Sequence, residues 1–131
     1  MVVDLKISNK LKRAMEAARR MAELSNFKYK LGAVIIKHGK IISAGTNTGK
    51  THPLVRKYFR HGTIHAEVAA IIKYRHNKEI LKDADIFIFR FTKEGYPALA
   101  KPCAQCTLLL HEYGIRRAFW TDSIFPYWQK G

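Results

Sequence analysis

Acidic residues are scarce. Only 10 Asp and Glu stand against 24 Lys and Arg in 131 residues, which leaves a formal charge of +14. So positive a chain implies attraction to phosphates or acidic surfaces without identifying one. Cysteine is nearly absent, and the two that occur, Cys103 and Cys106, lie three positions apart. That spacing excludes the disulfide framework of a small secreted fold and is compatible with a reducing compartment. No stretch approaches the roughly 18 consecutive apolar residues of a membrane-spanning helix, and residues 1–11 hold no cleavable apolar run. No membrane partner is therefore expected, and a cytoplasmic, soluble protein is. Internal repeats and low-complexity segments are also missing. With 47% hydrophobic residues, residues 1–131 are expected to form one domain that buries its core without staples.

The apolar residues present fall into alternating periodicities. Ser8 or Asn9 can cap a helix in which Leu11, Ala14, Met15, Ala18, Met21 and Ala22 recur at helical spacing as far as about Ser25. Lys10, Lys12, Arg13, Arg19 and Arg20 cover much of the rest of that helix, either as a solvated face or as a track for a polynucleotide. Two β-branched runs, 31–36 and 40–44, flank Lys37-His38-Gly39 and predict an antiparallel hairpin. Residues 45–63 turn polar and basic, with a short helix expected at 53–59; long connections of this kind often bind ligands. A second helix is expected from Thr63 to about Arg75, a buried strand over 85–91, a third helix from Pro102 to about Tyr113 closed by Gly114, and a fourth strand over 115–121. Strands alternating with helices in the second half predict parallel pairing with helices packed on the sheet. The aromatic tail from Ser123 is compatible with an edge strand, a packed tail or an oligomer contact.

Two short motifs carry chemistry. Pro102-Cys103-Ala104-Gln105-Cys106 sets two thiols at the start of a helix, where the dipole favours the thiolate that binds metal. His65-Ala66-Glu67 opens the preceding helix, and both helix starts follow connections leaving the same side of the sheet. His65, Cys103 and Cys106 then make a three-ligand zinc site with one open position, the mark of a catalytic rather than a structural zinc. Glu67, two residues beyond the histidine, points elsewhere along the helix and is available as a proton shuttle.

In this order, with proline before the first cysteine, the motifs resemble the zinc-dependent cytidine and deoxycytidylate deaminases. The resemblance runs from Leu31 to Thr121 and takes in Gly32-Ala33-Val34, Asn47, the two motifs above and Gly114-Ile115. It implies a three-layer α/β/α sandwich around a mixed sheet of four to five strands, one catalytic Zn2+ per chain held by His65, Cys103 and Cys106, and Glu67 as the proton carrier. It implies further that Asn47 contacts the sugar or base of the substrate, that the backbone of Ala66 contacts the base, and that the chain forms a homo-oligomer. In the implied reaction, water activated on the metal attacks C4 of cytosine while Glu67 protonates N3 and then the departing amine.

Other readings compete. Residues 44–51 come close to a P-loop, with Ala44 where the strict pattern has glycine, yet the apolar strand 86–89 is followed by Arg90 and not by a magnesium-binding aspartate. A redox role for the cysteines needs neither His65 nor Glu67. A zinc-stabilised nucleic-acid-binding module needs a fourth protein ligand, for which neither His61 nor His111 is obviously placed. A free nucleotide or nucleoside such as dCMP or cytidine fits one small pocket, with Lys50, Arg56, Lys57 or Arg60 as phosphate contacts. A single-stranded DNA or tRNA substrate is the alternative, towards which the charge and Tyr58-Phe59 lean.

Overall fold

The computed structural model describes residues 9–25, 30–47, 65–92, 94–122 and 128–130. Helix α1 spans Asn9–Glu23, followed by strands β1, Lys30–Lys37, and β2, Lys40–Thr46. Helix α2, Ala66–Ile72, and a 3-10 turn, Lys78–Ile80, lead to β3, Asp85–Phe91. Helix α3, Ala104–Glu112, then precedes β4, Arg117–Thr121, and β5, Trp128–Lys130. The five strands lie in the order β2-β1-β3-β4-β5. β1 is antiparallel to both β2 and β3, β3 and β4 are parallel, and β5 returns antiparallel along β4. This is the expected mixed sheet, and part of the aromatic tail supplies its fifth, edge strand.

The layers follow from the sequence pattern. In β3, Ile86 and Ile88 face one side while Phe87 and Phe89 face the other, and all four are buried. A strand apolar on both faces belongs in the middle of a sheet covered on both sides. α1 covers the phenylalanine side: Ala14, Ala18 and Ala22, one turn apart, are fully buried against Val34, Ile36, Phe87, Phe89 and Phe119. The rings of Phe87 and Phe119 stack with centroids 4.5 Å apart. The small side chains let the helix backbone touch the strand, because a Cβ on Gly32 of β1 would stand 2.2 Å from the Ala22 nitrogen and 2.5 Å from the Ala18 oxygen. α2 and α3 cover the other face, where Val68, Ile71, Leu109 and Tyr113 pack on Ala33, Ile35, Ile86 and Ile88.

The element boundaries show where local chemistry overrides periodicity. α1 stops at Glu23, short of the expected Ser25, whose hydroxyl is held instead by Asn47. The hairpin turns on His38 (φ +52) and Gly39 (φ +76), two left-handed residues in sequence, which matches the right-handed twist of the flanking strands. α2 is shorter than the 63–75 expected: it starts at Ala66 and ends at Ile72, beyond which residues 73–76 form turns. At the end of α3 the Gly114 N–H (φ +76) bonds the His111 carbonyl and the Ile115 N–H bonds that of Leu110, the paired Schellman bonds that let glycine close a helix. β4 accordingly begins at Arg117, two residues later than expected.

The starts of β3 and β4 are clamped by charge. Asp85 is 5% exposed, and its carboxylate accepts paired bonds from Arg117 (2.7 and 3.1 Å) and from Arg116 (3.1 and 3.4 Å). Burial alone would raise this carboxyl, but the two guanidiniums outweigh it and hold it below the ordinary aspartate range. A depressed folded-state pKa stabilises the fold above the unfolded value of about 3.9, a contribution lost as pH falls through the folded pKa. Asp85→Asn is expected to cost about 1–3 kcal/mol near neutral pH, towards the lower end because both guanidiniums are partly solvated. Urea titrations from neutral to acid pH should show the variant losing less stability than the parent below about pH 4.

Candidate metal centre and active site

α2 is held on β2 by contacts that leave no room for a side chain. A Cβ on Gly45 of β2 would lie 2.6 Å from both the Ala69 Cβ and the Ala70 nitrogen. Beside it the Ser43 hydroxyl donates to the Ala70 carbonyl, and the Tyr74 hydroxyl donates to the Ile42 carbonyl at 2.9 Å. Gly45 is thus a strand residue serving helix packing, not the start of a phosphate loop. His65 is the N-cap of this helix, extended at φ −73 and ψ 153, and its carbonyl takes the first helical bond from the Ala69 N–H at 3.0 Å. Its imidazole makes no cap bond and turns towards α3.

The other two donors come from the start of α3. The approach segment is tied to the end of β4: the Ala100 N–H donates to the Thr121 carbonyl at 2.9 Å, and the Thr121 hydroxyl donates to the Ala98 carbonyl at 2.7 Å. Pro102 does not open the helix, contrary to expectation. Cys103 takes the N-cap, its sulfur accepting the Cys106 N–H at 3.5 Å, so Pro102 lies one residue outside. A sulfur thus fills the role that serine or aspartate usually has. Cys106 then sits one turn into the helix, fully buried, while Cys103 lies at the surface.

These elements bring His65, Cys103 and Cys106 together, their donor atoms within 4.8 Å of one another. The His65 Nδ1 lies 3.4 Å from the Cys106 Sγ and 3.8 Å from the Cys103 Sγ. Tetrahedral zinc with its usual bond lengths sets nitrogen and sulfur ligands roughly 3.6 Å apart, between the two observed spacings, and one soft-nitrogen and two thiolate donors suit that ion. Three protein donors could therefore hold one zinc with a fourth position open. Burial, followed by the charges of Glu67 and Cys103, pushes the Cys106 thiol far above its ordinary range. Such a sulfur is a poor redox nucleophile and gives up its proton to a seated cation. Glu67 is only 4% exposed. Burial raises its carboxyl above the usual range against the opposing pull of its own backbone N–H, of His65 and of Cys106.

The family model for the cytidine and deoxycytidylate deaminase zinc-binding region matches residues 7–121. The chain belongs to that family. It is accordingly a zinc-dependent hydrolytic deaminase, and the three-donor cluster could hold its metal ion. The dCMP deaminase of the cyanophage S-TIM5 in apo form shares the fold at 20% identity, covering 88% of this chain and 86% of the other, TM-score 0.65. Cytidine deaminase from Burkholderia pseudomallei does so at 18% identity over 95% and 92% of the two chains, TM-score 0.66. Cytidine deaminase from Mycobacterium leprae does so at 16% identity over 95% and 94%, TM-score 0.56. No curated protein matches the chain.

The remaining candidates fall unevenly in this deaminase. Asn47 follows β2 and is 8% exposed. Its Oδ1 accepts from the Leu31 N–H at 3.0 Å and from the Ser25 hydroxyl at 2.6 Å, joining the end of α1 to both strands of the hairpin. Ser25 carried no signal beyond its place at a helix end, and its partner lies 22 residues away. Ala66 is fully buried. Lys50, Arg56, Lys57, Arg60, His61, Tyr58-Phe59 and the helix expected at 53–59 lie outside the described residues. His111, in the last turn of α3, is not part of the donor cluster.

Gly45→Ala should push α2 off β2, lowering the thermal midpoint by on the order of 5–15 °C. Because His65 begins that helix, zinc affinity measured by chelator competition should fall with it. Cys103→Ser should keep the cap while removing a zinc ligand, so metal content drops sharply. Cys103→Ala should lose metal and a further roughly 1 kcal/mol of stability, compared by denaturant titration of the two metal-free variants.

Proposed function

We propose that this deaminase acts on cytosine carried by a free nucleotide or nucleoside of the dCMP or cytidine type, giving the uracil counterpart and ammonia. The observation that carries the reading is Glu67, a carboxyl buried beside a three-donor metal centre and charged only at a cost. His65, Cys103 and Cys106 would hold zinc, which when bound supplies the Lewis acidity that makes water nucleophilic near neutral pH.

Glu67 takes a proton from the attacking water as its oxygen bonds to C4, and delivers that proton to N3. A second proton, from the hydroxyl now on C4, passes through the same carboxyl to the exocyclic amine as the C4–N bond breaks and the C4 carbonyl forms. One water is consumed and one ammonia leaves, so Glu67 ends in its starting state. Burial assists both directions, because a carboxyl raised from its usual range binds and releases protons closer to neutral pH. In this reading the Ala66 backbone meets the base, Asn47, anchored through Oδ1, meets the sugar, and Lys50, Arg56, Lys57 or Arg60 hold a phosphate. The dCMP deaminase of S-TIM5, described in complex with dCMP and dUMP, supports the small-nucleotide choice. Cytosine on a single strand is the second reading, favoured by the charge of +14.

Glu67→Ala and Glu67→Gln should retain one zinc per chain by elemental analysis while ammonia release falls by about 10²–10⁴ or more. Near-normal turnover by either variant would remove Glu67 from the mechanism. Running dCMP, cytidine and a single-stranded oligonucleotide in parallel decides between the two substrate readings.

A further inference from the structure

The contacts that seat α2 on β2 also fix where the end of the strand lies. Ile42 meets Tyr74, Ser43 meets Ala70 and Gly45 meets Ala69, so a step forward along β2 is a step back along the helix. Asn47, two residues beyond Gly45, therefore comes level with the start of α2, where His65 and Ala66 stand. Ser43 and Gly45 face the side of the strand that α2 covers, and Asn47 continues that alternation.

The Asn47 side chain is oriented by two donors on one oxygen. The Asn47 main-chain N–H donates to the Leu31 carbonyl at 3.3 Å, and the Leu31 N–H donates in turn to the Asn47 Oδ1 at 3.0 Å. A backbone N–H can only donate, so the carboxamide atom facing it is the oxygen and not the nitrogen. The Ser25 hydroxyl, itself 3% exposed, donates to the same Oδ1 at 2.6 Å and lies 3.3 Å from the Asn47 carbonyl. A flipped carboxamide would set its NH2 against the Leu31 N–H. The planar group therefore turns its NH2 edge away from Leu31 and Ser25.

Resting on the small cytosine substrate proposed above, we propose that Ser25 is a positioning residue of this deaminase. With the Leu31 N–H it locks Asn47 as a hydrogen-bond donor towards the sugar, so the site selects a hydroxyl oxygen that accepts. In this role Ser25 acts through Asn47 and touches no substrate. The Leu31 N–H alone would let the carboxamide swing about a single bond, and the hydroxyl adds the second point that stops it. A donor already held in place loses less freedom on binding than a mobile one. A carboxylate at position 47 would accept the same two bonds and have no proton for the sugar, which separates the lock from the donor it presents.

The test sets two variants of the zinc-loaded enzyme against two substrates: dCMP or cytidine, whichever is turned over, and its dideoxy counterpart, which lacks the sugar's secondary hydroxyls. On the complete substrate, kcat/KM should fall about three- to tenfold in Ser25→Ala and about ten- to hundredfold in Asn47→Asp, mostly through KM. On the dideoxy substrate both variants should stay within about twofold of the parent, because no hydroxyl is left to accept from Asn47. Equal losses on both substrates would reduce Ser25 to a structural residue, and parental activity in Asn47→Asp would make Asn47 an acceptor; either result overturns the proposal. The lock is also read without substrate, by NMR relaxation of the Asn47 side-chain amide, assigned by its disappearance in Asn47→Asp. Its order parameter should lie near 0.85, as for rigid backbone, and drop below about 0.6 in Ser25→Ala. A mobile amide in the parent, or an unchanged one in Ser25→Ala, would overturn the lock. Circular dichroism checks folding; if Ser25→Ala does not fold, the parent amide and Asn47→Asp carry the test. If neither dCMP nor cytidine is turned over, the small-substrate reading fails, and the amide order parameter decides the lock on its own.

Discussion

The approach of α2 to β2 at Gly45 is the constraint on which the site depends. A helix of seven residues is too short to form on its own, so packing on the sheet decides where it lies. With no side chain at Gly45 and the Ser43 hydroxyl bonded to the Ala70 carbonyl, the α2 backbone settles directly on the hairpin. That fixes the His65 cap and, through it, the direction of the imidazole. α3 is fixed independently, by its tie to the end of β4 at one end and the Schellman closure at the other. The three donors converge because two helices are laid on one face of one sheet, each from its own anchor.

The site is assembled from groups that resist burial as ions. Both the Cys106 thiol and the Glu67 carboxyl are driven by burial towards their neutral forms. Elsewhere in the fold a buried acid is compensated by protein charge: Asp85 has two arginines. At the donor cluster a bound divalent cation would take that part, with the Cys106 thiol as a ligand, and in the proposed reaction Glu67 is the acid that exchanges protons. An uncompensated buried acid beside a donor set is a functional arrangement, whereas the compensated Asp85 is a structural one.

The sequence disclosed the metal centre well because its parts are local. His65-Ala66-Glu67 and Pro102 to Cys106 each lie on a few consecutive residues, and the alternation of strands and helices was enough to place both at one end of the sheet. The sandwich was legible for the same reason, since β3 is apolar on both faces and α1 along one stripe. What escaped were decisions made by single side chains across long separations. The sulfur of Cys103 displaced Pro102 from the first helical position. Ser25 left α1 to hold Asn47, and the packing of Gly45 against Ala69 and Ala70 leaves no local mark in a segment that comes close to a P-loop. The fifth strand was ambiguous because three residues at an edge have too little periodicity to declare themselves.

Catalysis does not account for the charge of this chain. A pocket for one nucleotide phosphate needs one or two cations, while the sequence holds 14 more than its acids neutralise. Solubility alone would be served by scattered lysines. Here Arg116 and Arg117 are held in fixed orientations by Asp85. Immobilising two arginines costs side-chain entropy, which partly offsets the stability that the clamp on Asp85 returns. Donors already held in place lose less freedom on meeting an outside anion. Most of the excess charge therefore lies beyond what one phosphate in the pocket would use.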